Sequence, residues 1–134
     1  MFEFKKMKPA VKKLWLKALR SGKYLQTRGG LRGNAVQDYK GNPVDAETGV
    51  GYCCLGVLQD LYAQEHNVDF GKGKKYLRVT GKASWGLYPS RAVCRWAGLD
   101  YHSKDVSEEQ GILGEWNDGK TTFLRIADWI EENL

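Results

Sequence analysis

Apolar residues recur at helical spacing in several stretches of the chain. Behind Pro9, the positions Val11, Leu14, Trp15, Ala18 and Leu19 form one stripe, which predicts an amphipathic helix with Lys12, Lys13 and Lys17 on its opposite face. Pro9 suits the first helical position, and Gly22 suits the left-handed position just past the end. Arg20 lies near the negative end of the helix dipole. The stretch "GYCCLGVLQDLY" predicts a second helix over about 52–65, with Cys54, Leu55, Leu58, Leu61 and Tyr62 inward and Asn67 as its cap. Gly56 inside that helix costs ~1 kcal/mol relative to Ala, which implies that the first helix or a strand packs very close to it. Pro89 opens a third helix, "SRAVCRWAG", with Val93, Trp96 and Ala97 inward and Gly98 ending it. Ser107 and Gln110 have capping-box spacing, so a fourth helix should run to about Trp116 before Asn117-Asp118-Gly119 breaks it. Thr121 or Thr122 then caps a last helix with Phe123, Ile126, Ala127, Ile130 and Leu134 on one face.

Between the first two helices the helical period disappears. Residues 23–50 are rich in glycine, with turn signals at Gly29-Gly30 and Gly41-Asn42-Pro43 and β-prone pieces at Tyr24–Thr27 and Ala35–Tyr39. A further strand is expected at Tyr76–Thr80, after a Gly/Lys loop. The fold class that results is α+β: about five helices packed with a small antiparallel sheet, in a single compact domain over residues 1–134. Hydrophobic residues, Cys and Met included, make up 42% of the chain, enough for a core. No apolar run reaches the ~20 residues of a membrane span, and the charged start lacks the apolar region of a secretory signal. A cytoplasmic protein that does not engage a membrane is expected.

Charge adds an asymmetry to this picture. Residues 1–40 hold eleven Lys and Arg against Glu3 and Asp38, a local charge of +9, while the remainder carries −4 of the overall +5. Such a segment attracts anions. Cys53, Cys54 and Cys94 fit a reducing compartment as interior thiols, because adjacent cysteines on a helix point apart and an odd count leaves one over. Metal-ligand spacing is missing, and His66 and His102 are isolated, so neither a metal nor another cofactor is expected.

The best recognition candidate is "QTRGGLRGN", residues 26–34. Its glycines allow close backbone approach, and Arg28 and Arg32 offer planar forks for phosphate or carboxylate. Gln26 adds hydrogen-bonding capacity, and Tyr24 and Tyr52 are placed to stack on a base if the fold unites them. The phosphate-loop string is absent. A catalytic alternative rests on Cys53 at a helix start, with His102 as base and Asn117 or Asp118 orienting it, an order that papain-like hydrolases permit. Cysteine is also a common small core residue, which explains Cys53 without catalysis.

Four blocks taken in order, "LKALRSGKYLQTRGGLR", "GYCCLGVLQDLY", "WAGL" and "NDGKTTFLRIADWIEENL", resemble a family of small hypothetical proteins from bacteriophages and bacterial genomes. Gln59 stands where that pattern commonly has a further Cys, and "EWNDG" replaces a Leu-Asn-Asp version. The resemblance implies a phage-type accessory protein, resident in the host cytoplasm, and it implies no reaction. Charge and resemblance together lead to a non-enzymatic binder that sequesters a small anionic ligand such as a nucleotide-derived signal. Three rival readings stand beside it: direct inhibition of a host protein, nucleic-acid binding, and a Cys-dependent hydrolase. Nucleic acid is the weaker partner, since the compact recognition signatures are lacking and the basic helix buries its Trp and Leu. Oligomeric state is not encoded in any of these patterns.

Overall fold

The computed structural model describes residues 6–28, 30–45, 49–67, 89, 91–99, 113–117, 119 and 121–134. The chain order is α1 (Pro9–Arg20), β1 (Leu25–Gln26), β2 (Arg32–Asn34), β3 (Val50–Tyr52), α2 (Cys54–Glu65), α3 (Arg91–Ala97), a helical stretch at 113–117, and α4 (Phe123–Asn133). Among the described residues, five helical pieces and one small sheet make an α+β fold. The expected strand at Tyr76–Thr80, the capping box at Ser107 and Gln110, and both His102 and Asp118 lie outside the described residues.

Helix α1 begins with Pro9 at its first turn and buries Val11, Trp15, Ala18 and Leu19. Leu14, read as part of that stripe, is instead 44% exposed. The core lies on the Trp15 side, and Leu14 falls at the edge of the arc that a helix can bury. Gly22 takes the left-handed conformation expected of it, with φ of 81°. Helix α4 antiparallels α1, its last turn meeting the start of α1: the Met7 N–H donates to the Leu134 carbonyl at 3.0 Å. Thr122 caps α4 by accepting the Arg125 N–H at 3.2 Å, and Phe123, Ile126, Ala127, Ile130 and Leu134 are buried as their spacing predicts.

The sheet is mixed rather than purely antiparallel. Its order is β1-β3-β2, with β3 parallel to β1 and antiparallel to β2. The turn after β1 does reverse the chain, but β3 inserts between the two arms. Gly51 makes that insertion sterically feasible: a Cβ there would lie 2.8 Å from the Ala35 Cα and 3.0 Å from the Gln26 carbonyl carbon. Residues 35–39, expected as a strand, form only isolated bridges at Gln37, to Gln26 and Pro43. Val50–Tyr52, read as the approach to and start of the second helix, is the central strand.

Helix α2 starts at Cys54 and is buried around most of its first two turns, at Cys54 through Gln59. Leu61 and Tyr62 pack only partly against the core. The close neighbour implied by Gly56 is the backbone of Leu31, just before β2. A Cβ on residue 56 would sit 1.8 Å from the Leu31 oxygen. That carbonyl also accepts the Cys53 N–H at 3.2 Å, so the glycine lets the loop seat on the helix.

Candidate functional site

The candidate residues gather where the sheet meets the start of α2. Gln26 on β1 is fully buried, and its amide is saturated from within. Its Nε2 donates to Asn117 Oδ1 and to the Thr121 carbonyl, both at 2.8 Å, and its Oε1 accepts from Gln37 Nε2 at 2.9 Å. Asn117, also fully buried, accepts the Cys54 N–H at 3.1 Å and donates through Nδ2 to the Thr27 carbonyl at 2.7 Å. Cys54 is the first residue of α2, so the Asn117 oxygen satisfies a helix-start donor that the helix itself cannot. Neutral amides thus tie β1, the loop after it, α2 and the 113–117 stretch together.

Arg28 joins this network from its surface side. Its Nη2 donates to Gln37 Oε1, while its Nε is buried without an acceptor. A buried guanidinium donor left unsatisfied is costly and uncommon. Arg32, on β2, has its guanidinium carbon 5.7 Å from the centre of the Tyr52 ring, within cation–π range. Arg32 and Gln26 are the register partners of Tyr52 on its two sides. Tyr24 meets Tyr52 edge to face, with ring centres 5.2 Å apart. The two tyrosines are therefore together, while the two arginines rest on different supports, Gln37 and Tyr52.

Asp60 and Gln64, one turn apart on α2, complete the tyrosine side. The Tyr24 hydroxyl donates to Asp60 Oδ2, and Gln64 Nε2 donates both to that carboxylate at 2.7 Å and to the hydroxyl at 3.1 Å. Burial, reinforced by the Asp60 charge, pushes the Tyr24 phenol above its ordinary range. Tyr52 shifts the same way, by burial first and then the field of Asp60, with Arg32 opposing. Both rings are uncharged at neutral pH and present aromatic surface beside a guanidinium.

Gln37, Asp60 and Gln64 are not among the residues that the sequence singles out, and Asn117, expected in a turn or beside a catalytic His, instead lies buried at the end of the 113–117 stretch. A signal for Gln37 exists, because it shares the alternation of Ala35 in "AVQ", and both are buried. Asp60 and Gln64 have the i, i+4 spacing of a helix pair, but their link to Tyr24 and the described side-chain partners of Asn117 are remote in sequence.

The thiols occupy structural positions. Cys53 is 4% exposed and serves as the N-cap of α2, its Sγ accepting the Gly56 N–H at 3.3 Å. Cys54 faces the core, with its thiol directed at the Leu113 carbonyl at 3.6 Å. Cys53, Cys54 and Cys94 are all buried, and none is in a disulfide. Among the described residues no group of His, Cys, Asp and Glu has the arrangement of a metal site, and no helix is long and apolar enough to cross a membrane.

Fold and site together define a small α+β domain with an arginine–tyrosine surface set on a buried amide network. The chain belongs to the family described as a domain of unknown function, DUF8296, whose model matches residues 7–134. No curated protein and no solved structure matches it.

Proposed function

We propose that the protein is a non-enzymatic, phage-type accessory protein that binds and sequesters a small anionic ligand carrying an aromatic ring, in the manner of a nucleotide. The observation that carries this reading is the Arg32 guanidinium over the Tyr52 ring, together with an Arg28 Nε–H, two residues past β1, that is buried with no acceptor. An anionic oxygen is the acceptor such a donor calls for. Arg32 supplies the second positive charge, and the Tyr52 and Tyr24 rings supply stacking surface beside it. Gln26 acts from beneath: its amide is engaged internally, so it positions Gln37 and through it Arg28. Sequestration demands complementarity without turnover, which is consistent with cysteine sulfurs used for capping and packing.

Native mass spectrometry of protein purified from cells, followed by titration with nucleoside mono- and triphosphates, tests the reading. An anionic mass is expected to ride on the wild type and to vanish from the Arg28→Ala, Arg32→Ala double variant. The single variant Arg32→Ala should lose at least tenfold in affinity with its melting temperature nearly unchanged. A double variant that retains the ligand, or a wild type that carries none and ignores every nucleotide, refutes it.

A further inference from the structure

Away from that surface, α4 and the 113–117 stretch enclose a groove of about 460 Å³, open along one side and lined by Trp116, Thr121, Arg125, Asp128, Trp129 and Glu132. Arg125, Asp128, Trp129 and Glu132 are spaced i, i+3, i+4 and i+7, so they form one stripe on the face of α4 opposite Phe123, Ile126 and Ile130. The indole rings of Trp116 and Trp129 meet edge to face with centres 5.5 Å apart. Trp116 is 36% exposed, although Leu113 and Asn117 on the same helical stretch are fully buried.

Packing accounts for only part of this arrangement. Most of Trp116 is covered, but 36% of its surface stays open beside charged residues, and an open indole edge of a groove is the kind of group that anchors recognition. The charges around it divide along the helix. Arg125 sits by Thr121 at the start of α4, about 10 Å along the axis from Glu132. Neither side chain makes a hydrogen bond or ion pair among the described residues. Asp128 already accepts from Arg20 at 3.0 Å on its other side. The far end of the groove therefore holds aromatic faces and carboxylates, one of them uncommitted. That is the chemistry that holds an organic cation.

A free small molecule needs a pocket that encloses most of its surface. An open groove along a helix instead suits a side chain projecting from another polypeptide. Guanidinium fits better than ammonium, since its plane stacks on indole and its fork matches a carboxylate. We propose that this groove is a docking site for an arginine side chain of a partner protein, the guanidinium lying against Trp116 and Trp129 and pairing with Glu132. The groove is lined by none of Arg28, Arg32, Tyr24 or Tyr52, although the Thr121 carbonyl at its edge accepts from Gln26.

The test is a titration of the full chain with acetyl-Gly-Arg-Gly-amide, read from the indole N–H signals in the nitrogen–proton spectrum and assigned with Trp116→Phe and Trp129→Phe. The same peptide with citrulline keeps the shape and removes the charge. Saturable shifts at Trp116 and Trp129 are expected with the arginine peptide, with binding at least tenfold weaker for citrulline and about fivefold weaker for Glu132→Gln. Trp116→Ala should abolish the response, with some loss of melting temperature because most of the indole is covered; the remaining nitrogen–proton signals, unmoved from wild type, confirm that the variant is folded. Arg32→Ala should leave the titration unchanged. Equal shifts from arginine and citrulline peptides, an unaltered titration in Trp116→Ala or Glu132→Gln, or spermidine binding at least as tightly as the peptide would each overturn the assignment.

Discussion

Two seams hold this protein together by opposite chemistry. Between α1 and α4, around the apolar faces that both helices bury, the polar contacts are ionic and wet. Arg20 reaches Asp128 at 3.0 Å and Glu131 at 3.2 Å, and the ammonium groups of Lys6 and Lys12 donate to the Asn133 and Glu131 carbonyls at the end of α4. Those lysines satisfy carbonyls that a helix terminus leaves without partners, and they oppose the negative end of its dipole. Where β1 meets α2 the contacts are neutral and dry: Gln37 to Gln26, Gln26 to Asn117, and Asn117 to the Cys54 and Thr27 backbone. The difference follows from solvent. Exposed charges keep most of their hydration whether paired or not, so pairing them changes little. A buried amide has no water to fall back on, so each partner removed strands another.

Four substitutions probe the contrast, beginning with the largest expected effect. Gly56→Ala places a methyl group on the Leu31 carbonyl and should cost more than ~4 kcal/mol, or prevent folding altogether. A thermal melt by circular dichroism reports it, and a normal transition would mean that the α2–loop junction is not close-packed. Asn117→Ala strands the Cys54 N–H, the Thr27 carbonyl and one donor of Gln26, and should cost about 3 kcal/mol in urea unfolding. A cost under ~1 kcal/mol would erase the distinction between the seams. Arg20→Ala should lower the melting temperature by only about 1–3 °C at low salt, with the difference gone at high salt. The acid limb sharpens this last case. The hydrogen bond from Arg20 holds the Glu131 carboxyl below its ordinary value of 4.5. Its stabilisation is therefore present above pH 4.5 and lost as pH falls through the depressed value. Melting curves of Glu131→Gln should be flatter than wild type across that window.

Legibility in the sequence tracks the same divide. Helix α4 was readable to its N-cap and its buried face, because Thr122 and the 3.6-residue spacing act within one segment. Gly56 announced a close neighbour, although only the fold shows that it is Leu31. Leu14 was misassigned because periodicity gives a helix face but not how far the core wraps around it. Strand β3 was hidden because Val50–Tyr52 merges without a break into the helical run that follows. At the candidate site the arginines and tyrosines could be picked out by residue type, whereas Gln37, Asp60 and Gln64 could not.

Local order therefore came from the sequence by itself: where most helices start and stop, which faces are apolar, and that the first forty residues are basic. The tertiary structure alone decided that β3 runs between β1 and β2, that an amide from residue 117 caps the helix beginning at Cys54, and that Arg28 is left with a donor lacking a partner. Periodicity and capping act over a few residues and leave a trace in spacing. Hydrogen bonds between groups up to 127 residues apart leave none, because only chain folding brings their partners within reach.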